Sequence, residues 1–143
     1  MQLTCPRCRR GLLARDGVDE CAHCGGIWFD RGELELAVSH REPPPLLPPA
    51  APETDVRYLP CPRCQKFMTR RAYRRISGVV LDECNTHGTW ADQGEVERIV
   101  AFEAGEGPER LAVKEADEAR LDEERRRDAT ARWERVRRHM LAF

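Results

Sequence analysis

The sequence lacks any long hydrophobic run. No stretch approaches the roughly eighteen consecutive apolar residues of a membrane helix, and Met1 to Arg10 contain no apolar segment like that of a secretory signal. A strong net charge is missing too, since the formal value is -1. We therefore expect a cytoplasmic protein without a membrane span, in which any nucleic-acid binding depends on local basic patches.

Two kinds of cysteine chemistry and several kinds of catalysis also lack support. The chain has seven cysteines, an odd number, which disfavours a disulfide framework. No βαβ pattern accompanies a C-x-x-C pair, which disfavours a thioredoxin-like redox site. No nucleophile–base arrangement or phosphate-binding glycine loop is present. We expect neither an enzyme nor a small-molecule substrate.

Eight potential metal ligands are present, in two sets about sixty residues apart. The first set is Cys5, Cys8, Cys21 and Cys24, and the second is Cys61, Cys64, Cys84 and His87. Two residues separate paired ligands, so both can reach one ion from a tight turn, and two such turns complete a tetrahedron. The pattern predicts two structural zinc ions per chain. An iron–sulfur centre remains an alternative, although His87 and the paired turns favour zinc.

A proline-rich segment separates the two ligand sets. Arg41 to Asp55 contain six prolines in fifteen residues, typical of a semi-rigid spacer. The predicted domains are a first ribbon at 1–40, a linker at 41–58, a second ribbon at 59–104 and a charged helix at 108–143. Domains of about 40 residues rarely fold on a hydrophobic core alone, so zinc is expected to stabilise each one. Independent folding of the two ribbons is the corresponding expectation.

The repeat continues into predicted secondary structure. Asp-Gly and Ser-Gly turns predict a β-hairpin between the paired ligands of each set, the second running from Phe67 to Glu83. An acidic capping box, Asp30 with Glu33 and Asp92 with Glu95, predicts short helices from about Arg31 and Gln93. The second helix is expected to bury Val96, Ile99 and Val100. The fold class is a small, metal-stabilised α+β protein with two zinc ribbons and a long C-terminal α-helix.

These motifs resemble a known family. The CPRC start, the CGGIW-x-D-x-GEL segment and its HG-x-W-x-D-x-GE variant are similar to the bacterial transcription-factor-IIB-type zinc-finger family. The resemblance covers about residues 3–40 and 59–104, as two tandem copies. It implies zinc ribbons carried by the eight ligands named above, and much less about activity.

The second hairpin carries the candidate nucleic-acid site. Its basic residues occur with no acidic residue between Cys61 and Leu81, and Phe67 and Tyr73 offer stacking faces among them. The candidate contacts are Lys66, Arg70, Arg71, Tyr73, Arg74 and Arg75. An alternative is a solvated hairpin whose arginines pair with the acidic tail. Trp28 and Trp90 could also stack on bases, but a tryptophan beside a metal in a tiny domain usually belongs to the core.

From Pro108 the sequence predicts one long helix with polarised charge. Residues 109–124 hold seven acids and three bases, whereas residues 125–143 hold two acids and seven bases. An apolar stripe is present only near the end, at Ala129, Trp133, Val136, Met140 and Phe143. The stripe could contact a ribbon, a protein partner, a membrane surface or a second copy in an antiparallel pair. Two functions stay open: binding of nucleic acid or transcription machinery, and a protein-interaction adaptor.

Overall fold

The computed structural model describes residues 1–47 and 56–142. Residues 48–55 of the predicted proline-rich linker and the last member of the predicted stripe, Phe143, lie outside these residues. The chain divides into two compact units, residues 1–107 and the segment from Pro108 onward. The first unit contains both ligand sets.

The first ribbon consists of a short hairpin, a third strand and a helix. The elements are β1 (Leu13–Arg15), β2 (Val18–Glu20), β3 (Ile27–Asp30) and α1 (Glu33–Ser39). The predicted Asp-Gly turn is confirmed: Asp16 and Gly17 have φ of 52° and 84° between paired Arg15 and Val18. Positive φ at both central residues is typical of the turn that joins two twisted antiparallel strands.

The second ribbon repeats this order with a wider hairpin. Its elements are β4 (Thr69–Ala72), β5 (Val80–Cys84), β6 (Gly88–Ala91) and α2 (Glu95–Ala104). The predicted strand to Ile76 is too long, because Arg74 and Arg75 have φ of 47° and 58° and turn the chain after Ala72. These two arginines therefore lie in the connecting turn and not on the faces of a strand.

The two ribbons share one six-stranded sheet, with the strand order β1-β2-β3-β6-β5-β4. Strands β3 and β6 pair antiparallel at its centre, where Trp28 lies opposite Trp90. The expectation of two ribbons held apart by a spacer is therefore wrong. Each ribbon alone would expose the edge of its third strand, and pairing the two strands removes both edges.

Alternate residues along β3 and β6 enter two separate cores. One core joins Trp28 and Trp90 to Leu12, Met68 and the buried cysteines. The other joins Phe29 and Ala91 to residues of the two short helices, including Leu34, Val96, Ile99 and Val100. The predicted burial of three residues on α2 is confirmed.

The short helices begin two residues later than predicted. Gly32 and Gly94, with φ of 85° and 86°, occupy the N-cap positions without a side-chain cap. Half of the predicted capping box forms: a Glu33 carboxylate oxygen accepts from the Asp30 N–H at 2.8 Å, and Glu95 accepts from Asp92 at 2.7 Å. The carboxylates of the two aspartates have other partners.

The second unit is the predicted long helix, α3 (Gly107–Met140), which runs for 34 residues. Exposed ion pairs one turn apart lie along it, including Glu123 with Arg127 at 3.1 Å. Trp133, Val136 and Met140 are exposed. Among the described residues, no helix combines the length and the apolar character that crossing a membrane requires.

Candidate metal centres and the interface between the ribbons

The first ligand set converges on one point. Cys5 and Cys8 lie in the turn before β1, and Cys21 and Cys24 lie in the turn between β2 and β3. Cys5 Sγ is 3.6 Å from Cys24 Sγ, and Cys8 Sγ is 3.4 Å from Cys21 Sγ. The Cys8 N–H also points at Cys5 Sγ, at 3.4 Å. The backbone of the turn thus helps to orient the Cys5 sulfur atom.

The second set converges in the same way around three sulfurs and one imidazole. Cys64 Sγ is 3.9 Å from Cys84 Sγ. His87 Nδ1 lies 3.8 Å from Cys61 Sγ and 3.6 Å from Cys84 Sγ. The nitrogen that faces the sulfurs is therefore Nδ1, which makes it the ligand atom of the ring.

Both sets fit zinc. A zinc–sulfur bond of about 2.3 Å gives a tetrahedron with edges of about 3.8 Å, close to these separations. All four ligand atoms of each set lie within 4.8 Å of one another. Thiolate and imidazole are the donors that zinc prefers. Each set can hold one zinc ion, whose contribution would be to join two turns that the small cores hold only weakly.

The thiols differ in how readily they ionise. Burial raises the pKa of Cys5, and it raises the pKa of Cys61 to about 11. Burial acts in the same direction on Cys84, but hydrogen bonds from the N–H groups of Thr86 and His87, together with those of the His87 and Cys61 side chains, lower its pKa to about 6. Zinc binds thiolates, so metal binding must release protons from the more basic thiols.

Each ribbon supplies an arginine to an aspartate of the other. Arg7, in the first metal turn, donates from Nε and Nη2 to both carboxylate oxygens of Asp92, at 2.6 Å each. Arg63, in the equivalent turn of the second ribbon, donates to Asp30 at 2.6 and 2.5 Å. Two-point arginine–carboxylate pairs fix orientation as well as distance. The metal turns of the two ribbons are therefore tied across the sheet.

The same aspartates orient the central tryptophans. Trp28 Nε1 donates to Asp30 and Trp90 Nε1 donates to Asp92, both at 3.0 Å. Neither indole ring is exposed, so the reading of these rings as core residues is confirmed. The Arg63 guanidinium holds the pKa of the Asp30 carboxyl below its usual value, against the opposing effect of burial. A charged carboxylate can accept from both partners at once.

Two glycines make the approach of the ribbons possible. A methyl group on Gly26 would overlap the indole ring of Trp90, in the other ribbon. A methyl group on Gly88 would overlap the backbone oxygen of Phe29, again across the interface. The glycines that follow the ligands thus serve the contact between ribbons.

The predicted nucleic-acid residues fall into several environments. Lys66 is exposed just after the Cys61–Cys64 turn. Arg70 lies half-buried on β4, and Arg75 is exposed in the hairpin turn. Arg71 pairs with Glu83 at 3.4 Å, and Arg74 pairs with Glu103 at 3.0 Å. The sequence left open whether these arginines pair with the acidic tail. In the structure, the partners of Arg71 and Arg74 are carboxylates of the second ribbon.

Tyr73 is half-buried and packs against α2. Its hydroxyl donates to Glu103 at 2.7 Å, and its ring meets Phe102 edge-on at 6.5 Å between centroids. Arg74 lies over the same ring, 5.9 Å from the centroid. The Tyr73 ring therefore helps to hold the hairpin turn against the helix.

Two aromatic residues outside the predicted contact residues are exposed beside the hairpin, and one of them, Phe67, was expected to offer a stacking face. Phe67 is 77% exposed and Tyr58 is 62% exposed, and they lie on the adjacent segments that the Pro60–Phe67 bridge joins. In the first ribbon, the bridge of Thr4 with Gly11 occupies the equivalent place. Aligning the repeats on their first cysteines places Gln2 and Gly11 opposite Tyr58 and Phe67. This difference between the aligned repeats is the sequence signal that could have singled out Tyr58 and Phe67.

Comparison with known proteins finds a similarity to a known family in the first ribbon. Residues 4–40 match the family described as "Transcription factor zinc-finger". No curated protein and no solved structure matches the chain significantly. Fold and ligand geometry together define a zinc-ribbon protein with two metal sites in one sheet.

Proposed function

We propose that the protein is a non-catalytic zinc-ribbon module that binds single-stranded nucleic acid through the hairpin of its second ribbon. The exposed Phe67 ring carries the proposal, because it stands next to Lys66 where the first ribbon has Gly11. Exposed aromatic rings stack on unpaired bases, and neighbouring cations bind the phosphates. The description of the family that matches the first ribbon is consistent with a role near the transcription machinery.

The ligand count supports a structural metal. Catalytic zinc keeps a coordination position open for water or substrate, whereas four protein ligands complete each tetrahedron here. Zinc would therefore support the fold that presents the hairpin and take no part in a reaction.

A direct test compares the two ribbons. Phe67→Ala should weaken binding of a single-stranded oligonucleotide roughly tenfold or more, since each stacked base contributes about 1–3 kcal/mol. Lys66→Gln should reduce the slope of affinity against salt by about one. Arg10→Gln changes the equivalent residue of the first ribbon and is the matched control. Fluorescence anisotropy in a salt titration measures all three, and unchanged affinity in Phe67→Ala would overturn the stacking role.

A wider variant tests the basic hairpin as a whole. Replacing Arg70, Arg71, Arg74 and Arg75 by glutamine should abolish binding and its salt dependence, with zinc content unchanged. Tyr73→Phe removes the hydroxyl bond to Glu103 and keeps the ring, so it separates support of the turn from base contact. Full binding by the four-arginine variant would remove the hairpin from the site.

The second candidate is a protein-interaction adaptor. The observation that favours it is the row of exposed apolar residues at the end of α3: Trp133, Val136 and Met140. Deleting residues 125–143 should then abolish partner binding without loss of zinc. An adaptor contact that involves no phosphate shows no steep salt dependence, so the titration above also separates the two candidates.

A further inference from the structure

The charge of α3 reverses near its middle. Residues 109–124 carry seven acids against three bases, and residues 125–142 carry seven bases against two acids. The helix is continuous over 34 residues, about 51 Å at 1.5 Å per residue. A continuous helix cannot fold its basic half back onto its acidic half. Neither half of α3 can therefore pair with the other half of the same helix, whereas a second copy of the helix supplies the complement of both.

A row of exposed positions follows a heptad along the whole helix. Its members are spaced alternately by three and four residues, as in a coiled-coil seam. We call this row the α3 seam: Ala112, Glu115, Ala119, Asp122, Arg126, Ala129, Trp133, Val136 and Met140. All nine are exposed, and six are apolar. The three charged members lie in the middle and in the acidic half, which limits the partners that the seam can accept.

We infer that α3 pairs with the α3 of a second copy in antiparallel orientation, with Asp122 of each copy opposite Arg126 of the other. In this register both charged residues at the centre of the seam meet opposite charges. Alanines 119 and 129 then face each other, and Val136 faces Ala112. A parallel pair would place acid against acid and base against base, and such like-charge contacts are unfavourable. The reversal of charge thus selects the orientation.

The same register accommodates the largest seam residue. Trp133 of one copy comes level with Glu115 of the other, where the surrounding seam and flanking positions are Ala112, Ala116 and Ala119. A bulky side chain inserts into a hole formed by four residues of the facing helix, and three small residues leave room for an indole. Within its own helix, Asp122 forms an ion pair with the exposed Arg125, at 3.5 Å. Such an exposed pair contributes little and leaves the carboxylate available.

The test is a charge exchange in the full-length, zinc-loaded chain. Sedimentation equilibrium should give wild-type protein about twice the chain mass of 16.4 kDa. One variant carries Glu118→Arg and Asp122→Arg, and the other carries Arg126→Glu and Arg132→Glu. Glu118 and Arg132 directly precede the seam residues Ala119 and Trp133, so this register brings them close to each other across the pair. Each alone should raise the dissociation constant of the dimer roughly a hundredfold or more. Mixed together they should form a heterodimer, because every altered contact then joins opposite charges.

A matched control keeps the number of changes and moves them to the outer face. Glu124→Arg with Arg138→Glu alters no seam position, so the dimer should persist, and zinc content should stay the same in all variants. A wild-type chain that remains monomeric at high concentration would overturn the inference. So would a dimer that survives both charge-reversal variants. A monomer whose oligonucleotide binding is lost only on reversal of the basic half would instead assign that half to nucleic acid.

Discussion

The two ribbons are built alike where they bind metal and where they meet, and differently where they face outward. The arginine–aspartate pairs across the interface repeat, as Arg7 with Asp92 and Arg63 with Asp30. The tryptophan–aspartate hydrogen bond within each ribbon repeats as well. The hairpins differ in length, and Gly11 in one ribbon corresponds to the exposed Phe67 in the other. Shared contacts therefore mark what the fold requires. The differences mark the surface on which a function specific to one ribbon can lie.

Metal removal should have the largest effect, and it should destabilise the two ribbons alike. Structural zinc contributes on the order of 10–16 kcal/mol in small peptides, more than cores of this size provide. A strong chelator should therefore unfold both ribbons together and expose Trp28 and Trp90. Tryptophan fluorescence and near-ultraviolet circular dichroism detect this exposure. Persistence of one native ribbon in the metal-free chain would contradict the account.

Truncation of the central tryptophan should lower the free energy of unfolding by nearly the same amount in either ribbon. Trp28→Ala and Trp90→Ala each remove a fully buried ring and a hydrogen bond, so each should cost about 3–5 kcal/mol. Urea unfolding with zinc in excess gives these values. Phe67→Ala, which removes an exposed ring, is the control and should leave unfolding of the ribbons unchanged. A large inequality between the first two variants would break the proposed equivalence.

A methyl group at the interface should have an intermediate effect. Gly26→Ala pushes against the Trp90 ring, which is fixed by Asp92, and should cost about 1–3 kcal/mol. Gly11→Ala is the matched control, because the atoms nearest to its methyl group would be the flexible end of the Gln2 side chain. Thermal unfolding compares the two variants. Equal stability would show that the ribbons do not meet as closely as the sheet requires.

The reciprocal ion pairs should have the smallest effect on stability. Arg7→Gln and Arg63→Gln each remove a two-point contact whose partners are partly exposed, so each should cost about 1 kcal/mol or less. High salt should reduce the difference from wild type, because it screens exposed charges. Urea unfolding at low and high salt measures both effects. A loss of several kcal/mol would mean that the pairs carry much more of the interface than their exposure suggests.

Sequence reasoning succeeded where the signal was local. Ligand spacing, the Asp16-Gly17 turn and the apolar period of α2 each depend on residues close along the chain, and each predicted an element that the structure contains. Shared sheet formation depends on β3 and β6, which are distant in sequence. The proline-rich segment between them led to the prediction of two ribbons held apart, whereas they share one sheet. The pairing of Arg7 with Asp92 spans 85 residues and follows no local pattern.

The end of strand β4 in the second hairpin could not be predicted from the sequence for a different reason. The residues Phe67 to Ile76 read as one strand, but positive φ at Arg74 and Arg75 ends the strand at Ala72. Packing of Tyr73 against Phe102 and Glu103 stabilises this turn, and α2 supplies both partners. A tertiary contact therefore decided a local conformation, which the sequence of the hairpin alone could not reveal.

Zinc affinity of the first ribbon in a Cys84→Ser variant tests the central claim most directly. The change removes a ligand from the second site only, and every ligand of the four-cysteine site is intact. If the shared sheet and the Arg–Asp–Trp contacts join the ribbons into one unit, chelator competition should show that the first site binds zinc at least roughly tenfold more weakly, about 1.4 kcal/mol. An affinity equal to that of the same site in the wild-type chain would show that the ribbons fold independently.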